Sequence, residues 1–166
     1  NILKIDSKYK LFPSRFRNLI GEAPNHIFFN RNRGFYEENS PNFKVPRFST
    51  DCSVETFEGH TVTYTNIQLA YHFGFSEVIL IGIDFNYKIP QSTIINGSTL
   101  TSQEDDPNHF HKDWFGRGKQ WHVPKLDQVK KCYELANNVF LWSETRNIYN
   151  STVGGVLEVF QRKPLE

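Results

Sequence analysis

The sequence has no methionine and only two cysteines in its 166 residues. Cys52 and Cys132 lack the spacing of a metal site, and two cysteines do not make a disulfide framework. Their scarcity fits a reducing cellular interior, and we expect a cytoplasmic protein. Because the chain begins at Asn1 and has no methionine, we expect either a piece of a longer protein or a sequence from which modified methionines are missing.

An excess of positive charge is also lacking. The 19 Lys and Arg residues are balanced by 18 Asp and Glu residues, which gives a net charge of +1. A protein held mainly by nucleic-acid phosphates needs a clear basic excess, so we expect no nucleic-acid partner. No apolar run approaches the roughly 20 residues of a membrane-spanning helix, and no signal peptide is visible.

What the sequence does contain is a large aromatic content, with 15 Phe, 7 Tyr and 3 Trp. This is enough for the core of a single domain over residues 1–166. Two short apolar runs, "HIFFN" (26–30) and "RNIYN" (146–150), are typical of strands. The second run is followed by "VGGVLEVF", in which the two glycines indicate a turn.

The clearest pattern is a helix over "GHTVTYTNIQLAYHFGF", residues 59–75. One stripe at helical spacing, which we expect to be buried, contains Thr63, Ile67, Ala70 and Gly74, and it is widened by Val62, Leu69 and Phe73. Thr61 is a suitable N-cap, and Gly74 stands where a glycine ends a helix.

A continuous aliphatic run follows at once in "EVILIGIDF", residues 77–85, and is typical of a strand buried on both faces of a parallel sheet. A second amphipathic helix is predicted over 124–138. Helix, turn and buried strand make half of a βαβ unit, so we predict a Rossmann-like three-layer α/β domain with a mostly parallel sheet. The inward positions of the second helix are Leu126, Val129, Cys132, Tyr133 and Ala136.

Residues 86–123 show no hydrophobic period and are expected to be irregular. Their core, "DDPNHFHKDWFGRGKQWH" (105–122), contains three histidines and two tryptophans. Long loops in compact domains are usually functional. We therefore predict a long active-site loop, in which Trp114 and Trp121 shield the site from water.

Polar residues gather where this strand ends and where the helix before it begins. Asp84 and Tyr87 follow the strand, and Thr61 and Thr63 lie at the start of the helix. Free backbone N–H groups and the helix dipole make such an end suitable for a phosphate or carboxylate. Alternatively, Asp84 binds backbone amides in a turn, and the threonines serve only as caps.

The histidines of the loop allow two kinds of chemistry. His109 and His111 form an H-x-H pair that could bind a metal with Asp105 or Asp106, although such pairs are more often polar loop contacts. His122 lies just before the second helix, where a neutral ring could act as a general base.

The segment "TVTYTNIQLAYHFGFSEVILIGIDFNY" resembles the central part of a bacterial sialyltransferase family, which uses CMP-sialic acid to build lipooligosaccharide. It is also similar to the 6-hydroxymethylpterin diphosphokinase-like domain found in motility accessory factors. The shared pattern is a threonine-led helix, a glycine-aromatic turn, an aliphatic strand and Gly-x-Asp-Phe. The resemblance extends over residues 55 to 160.

The resemblance implies roles for individual residues. His122, five residues before Asp127, would be the general base, and His109 in "NHF" (108–110) would support it. Thr61 would lie near the nucleotide sugar, whereas Thr63 and Asp84 are candidate ligands from their position alone. Tyr87 would lie near the leaving phosphate, next to Asn86, which stands where the family has a first tyrosine.

The implied function is a glycosyltransferase that moves a sugar, sialic acid-like or another ulosonate, from a nucleotide donor to a glycan hydroxyl. It needs no bound metal, and it would work in the cytoplasm or peripherally at the inner face of the membrane. The family's Gly-Asn-Gly-Pro-Ser nucleotide loop is not in this sequence, so we expect the N-terminal nucleotide-loop segment to be missing.

Two other functions stay open. A diphosphokinase of the 6-hydroxymethylpterin type would need Mg²⁺, which Asp84, Asp105 and Asp106 could hold. A non-catalytic nucleotide-sugar-binding module would bind the donor without turnover.

Overall fold

The computed structural model of the protein describes residues 2–109 and 111–165. Phe110 of the "NHF" element lies outside the described residues, as do the first and last residues of the chain. Two short 3₁₀ turns, Ile2–Lys4 and Ser14–Phe16, accompany the regular elements. In chain order these are β1 (Lys10–Pro13), α1 (Arg17–Ile20), β2 (His26–Phe29), β3 (Arg31–Asn32), β4 (Thr56–Phe57), α2 (Val62–His72), β5 (Glu77–Leu80), β6 (Ile94–Asn96), β7 (Thr99–Thr101), β8 (Gln120–His122), α3 (Leu126–Trp142), β9 (Asn147–Asn150) and β10 (Gln161–Arg162).

The chain divides into two compact units. The first unit is the chain up to Ile79 together with Asp127–Tyr149, and the second is Leu80–Leu126 together with the chain from Asn150 onward. The predicted strands at 26–30 and 146–150 are confirmed as β2 and β9.

Parallel pairing dominates the first unit. β1 pairs with β2, and β3 pairs with β4, both in parallel. β2 runs into β3 through Asn30, whose carbonyl accepts a hydrogen bond from the Thr56 amide at 2.8 Å. The carboxyl ends of β1 and β2 lie side by side at Pro13 and Phe29, and the carboxyl ends of parallel strands are where open α/β sheets bind ligands.

Helix α2 begins and ends where the sequence predicts. Thr61 is its N-cap, and Gly74 follows its last turn with a φ of +83°. Ile67 of the predicted stripe is buried, but the prediction was wrong for Val62, which is 72% exposed, and for Phe73, which is 55% exposed. The buried face carries Gln68 instead, whose Oε1 atom accepts hydrogen bonds from the backbone of Ser49 and Phe57. A polar side chain thus completes the hydrogen bonding next to β4, which a search for apolar periodicity does not detect.

Helix α3 confirms the second amphipathic prediction and extends four residues beyond it, to Trp142. Leu126 is only half-buried, whereas Val139 and Phe140 join the core. Cys52 and Cys132 are free and buried. The predicted inward positions that are buried are Val129, Cys132, Tyr133 and Ala136.

The predicted strand over 77–85 is too long, since β5 ends at Leu80. Gly82 and Phe85 have φ values of +72° and +59°, which a strand cannot accommodate. Strand β5 is not buried on both faces either, because Ile79 is 40% exposed. Ile81, just beyond the end of the strand, is 62% exposed.

The second unit also contains a sheet that was not predicted. Residues 86–123 are not irregular throughout, because β6, β7 and β8 form an antiparallel sheet in that order. Leu100 of β7 is opposite Trp121 of β8, and both are buried. The histidine-rich loop is thus the connection between two paired strands.

The structure confirms a mixed α/β protein with several small sheets. In the β5–β9 pair, the Asn147 amide donates to Ser76 and the Ser151 amide donates to Leu80, so the register advances in the same direction along both strands. No helix among the described residues is long and apolar enough to cross a membrane.

Candidate functional site

A recess of about 400 Å³ lies at the amino end of α2 in the first unit, and we call it the α2 recess. Pro13 and Phe29, the last residues of β1 and β2, line it, so it lies at the carboxyl edge of these strands. Its other apolar lining residues are Leu11, Val62 and Leu69, and its polar ones are Arg31, Tyr36, His60, Thr61, Thr65 and Asn66.

The amino end of α2 packs closely on α3 because residue 59 is a glycine. A Cβ atom at Gly59 would lie 2.6 Å from Cδ1 of Tyr64 and 2.9 Å from Sγ of Cys132. Both neighbours are fully buried, so neither has room to move. Gly59 therefore allows the amino end of α2, which lines the α2 recess, to pack directly against α3.

His60 lines the recess in a backbone conformation that is rare for a residue with a side chain, with φ at +61°. Its amide donates to Oη of Tyr36 at 2.7 Å, and its Nε2 atom is 3.0 Å from Oε1 of Gln128. Burial raises the pKa of Tyr36, so its hydroxyl stays protonated and can donate to a ligand. A strained residue held by several contacts is typical of a functional site.

Arg31 brings a positive charge to the same recess. Its Nη2 atom is 2.8 Å from Oε1 of Glu58, whose side chain is only 7% exposed. The Nε atom of Arg31 is buried and has no hydrogen-bond partner in the described part of the chain. An unpaired buried donor lowers stability, so a ligand that accepted a hydrogen bond from Nε of Arg31 would remove this cost.

A second recess of about 240 Å³ shares Arg31 and Pro13 with the first, and we call it the arginine recess. Arg15 and Arg33 also line it, together with Ser14 and Asn30. Neither Arg15 nor Arg33 forms a salt bridge with any carboxylate that the structure describes. Three guanidinium groups around one concavity favour a ligand with more than one negative charge.

The two threonines predicted to bind a ligand are placed differently. Thr61 lines the α2 recess, and its Oγ1 atom accepts a hydrogen bond from the Thr63 amide at 3.3 Å. Both side chains also interact with the hydroxyl of Tyr133, whose pKa is raised by burial. Thr63 therefore ties α2 to α3, whereas Thr61 both caps the helix and faces the recess.

The second unit has a separate group of functional side chains in the loop between β7 and β8. We call Asp106, His109, Trp114 and Phe115 the Asp106 cluster. The Asp106 side chain is only 1% exposed and accepts from Nδ1 of His109 at 2.7 Å. It also accepts from the amides of Asn108 at 2.8 Å and Phe115 at 2.9 Å, so one carboxylate organises the loop.

These hydrogen bonds decide the protonation of the cluster. Burial alone would raise the pKa of Asp106, but the bonds from Asn108, Phe115 and His109 outweigh it and hold that pKa below its usual range. Because a carboxylate only accepts, Nδ1 of His109 carries a hydrogen, so in the neutral form of the ring Nε2 is the nitrogen with the lone pair. This is how an aspartate orients a catalytic histidine.

Aromatic rings pack around His109. The Trp114 ring stacks on it with centroids 6.1 Å apart, and the Phe115 ring meets it edge-on at 5.3 Å. Tyr87 contacts His109 at 6.2 Å and Trp121 at 5.2 Å. The two tryptophans that were predicted to shield the site from water are placed differently. Trp121 is buried, whereas Trp114 is 57% exposed.

His122 differs from His109 in its surroundings. It lies on β8 with its side chain exposed, on the opposite face from Trp121. No described residue forms a hydrogen bond or an ion pair with its ring. Only His109 of the two predicted catalytic histidines is therefore oriented by a carboxylate.

The residues predicted to follow the β5 strand are only partly brought together. Asp84 and Asn86 are exposed, and the backbone of Asp84 packs against Gly155, where a Cβ atom would lie 2.6 Å from the Asp84 carbonyl oxygen. Gly155 has a φ of +73°, which confirms the predicted glycine turn. Tyr87 is half-buried against His109, and burial raises its pKa.

The two histidines of the H-x-H pair, predicted as an alternative metal site, both form hydrogen bonds within the loop. Nδ1 of His109 is bound to Asp106, and Nδ1 of His111 accepts from the Asp113 amide at 3.3 Å. Among residues 2–109 and 111–165, no three His, Cys, Asp or Glu side chains are grouped to hold a metal ion.

The sequence interpretation missed the residues that give the α2 recess its charge. Arg31 and Tyr36 come from a proline-rich stretch with no local pattern, and the sequence alone assigns no role to His60. The only local signal was "GHT", which places His60 between the packing glycine and the helix cap. Comparison with protein-family models, with curated protein sequences and with solved structures gives no match.

Proposed function

We propose that the protein is a glycosyltransferase that binds a nucleotide-linked sugar in the α2 recess and transfers the sugar to a glycan hydroxyl. The observation that carries the proposal is the position of Arg31, which lines both the α2 recess and the arginine recess. A ligand held by this residue would have one part in each recess.

The lining of the two recesses supports a nucleotide in particular. Leu11, Phe29 and Leu69 offer apolar surface for a base, and Tyr36 and His60 offer polar groups. The three arginines and the amino end of α2 suit two neighbouring anionic groups. These groups would be the two phosphates of a nucleoside diphosphate sugar, or the phosphate and carboxylate of a CMP-sialic acid-like donor.

Within the second unit, His109 is the candidate for a general base. The family resemblance favours His122, but the Asp106 carboxylate gives His109 the fixed tautomer that a base requires. His122 is the alternative. The Rossmann-like three-layer arrangement also belongs to this proposal, and it is supported by the parallel pairing of β1 with β2 and of β3 with β4.

A nucleotide-release assay tests the proposal. The full chain is incubated with CMP-sialic acid, UDP-glucose, UDP-galactose or GDP-mannose, with lactose as acceptor, and with either Mg²⁺ or EDTA. We expect release of one nucleotide in EDTA, and loss of that release in Arg31→Gln. Arg117→Gln is the matched control, because Arg117 is an exposed arginine of the second unit.

Other outcomes separate the competing functions. Turnover of ATP only with Mg²⁺ would replace this proposal by the diphosphokinase. Binding of a nucleotide sugar without any release would instead support a non-catalytic module.

A further inference from the structure

Trp114 is exposed on the loop between β7 and β8, whereas Phe115 next to it is half-buried. Its side chain is 57% accessible, whereas Trp121 at the end of the same loop is 7% accessible. Burying an indole is strongly favourable, so a loop that could cover Trp114 but leaves it open keeps it for contact with something else.

The loop around the indole is held by hydrogen bonds. The ring lies beside His109, with centroids 6.1 Å apart, and His109 is bound by the buried carboxylate of Asp106. The Trp114 amide donates to the His111 carbonyl at 2.9 Å, and the Phe115 amide donates to Asp106. These bonds fix the backbone on either side of Trp114, which lowers the entropy cost of ordering the loop on binding.

Polar groups surround the indole. Trp114 lines an open recess of about 610 Å³ together with His111, Asp113, Phe115 and Lys119. Nζ of Lys119 donates to the Asp113 backbone carbonyl at 2.6 Å, which fixes the amine at the rim. In the described part of the chain, nothing forms a salt bridge or hydrogen bond with the Asp113 carboxylate.

We infer that this surface binds a pyranose ring of a glycan, with the apolar face of the sugar on Trp114 and its hydroxyls on Asp113 and Lys119. A sugar ring has one face of C–H groups and a rim of hydroxyls, which matches an indole flanked by an acceptor and a donor. A nucleobase fits less well, because its attached phosphate would meet the negative charge of Asp113. The role of this glycan as the acceptor rests on the proposed function, whereas its binding does not.

Saturation-transfer NMR tests the inference with lactose, maltotriose and chitotriose as probes, and with UMP as the nucleobase probe. We expect at least one sugar to bind with a Kd on the order of 1 mM, as a single stacked ring would give. Trp114→Ala should weaken that binding about tenfold or more, and Asp113→Asn should weaken it several-fold. Trp114→Phe should retain most of it.

Trp142→Ala is the matched control, because Trp142 is an exposed tryptophan outside the loop and should leave binding unchanged. A wild-type protein that binds none of the three sugars would overturn the inference, as would sugar binding that survives in Trp114→Ala. Loss of UMP binding alone in Trp114→Ala would also overturn it and indicate a base-stacking surface. Nucleotide binding measured on the same samples reports separately on the proposed function.

Discussion

Replacing Asp106 by asparagine should loosen the β7–β8 loop and change the tautomer of His109. The carboxylate accepts three hydrogen bonds, two of them on Oδ2, from His109 and from the Phe115 amide. An amide in the same position presents N–H on one side. His109 can adapt by moving its hydrogen to Nε2 and accepting at Nδ1, but the Phe115 amide cannot adapt.

The expected loss follows from that one unsatisfied bond. A hydrogen bond to a charged group contributes about 1.5–3 kcal/mol, and the buried donor left behind adds to the cost, so we expect about 2–4 kcal/mol. Amide hydrogen exchange at Asn108 and Phe115 measures it locally, where about 1.4 kcal/mol corresponds to tenfold faster exchange. The ¹⁵N shifts of the His109 ring report the tautomer directly.

Asp113→Asn is the control in the same loop, because Asp113 is exposed and should exchange as in the wild type. The pH dependence gives an independent check. Since the folded state lowers the pKa of Asp106, its stabilising effect is complete above the ordinary carboxyl pKa of about 3.9 and is lost as pH falls below it. Unchanged exchange and an unchanged His109 tautomer in Asp106→Asn would refute the role given to this carboxylate.

Three further predictions concern packing, thiols and catalysis. Gly59→Ala should lower the free energy of unfolding by about 1–3 kcal/mol in urea denaturation, because the new methyl group overlaps buried neighbours; an unchanged midpoint would contradict the packing. Cys52 and Cys132 should resist iodoacetamide until the chain unfolds, because both are buried and burial raises their pKa values to about 11 and about 12. Rapid labelling of the native protein would show that this core is open. His109→Ala should reduce turnover about a hundredfold or more, with nucleotide binding retained. If His122→Ala has that effect and His109→Ala does not, the base is His122.

Local patterns in the sequence predict the helices well. Apolar spacing locates α2 and α3, the Thr61 side chain marks where α2 begins, and Gly74 follows its end because a left-handed residue is needed there. These signals lie within a few residues of the structure they determine.

The strands and the site depend on distant parts of the chain. β5 stops early because Gly82 and Phe85 turn the backbone, although the residues up to Phe85 read as an apolar run. β7 and β8 are recognisable only from their pairing with each other across the loop. In the same way, Arg31 forms an ion pair with Glu58, which is distant in the sequence, so no local spacing predicts this contact.

The most direct test of the central claim is a calorimetric titration of UDP, UMP and CMP-sialic acid into the wild type, Arg31→Gln and Arg117→Gln. We predict that a nucleotide with two anionic groups binds more tightly than UMP, and that Arg31→Gln weakens it at least about tenfold, as the loss of a charge-assisted hydrogen bond requires. Arg117→Gln should bind as the wild type does. Equal binding to Arg31→Gln and the wild type, or no binding of any of these ligands, would contradict the assignment of the α2 recess to a nucleotide donor.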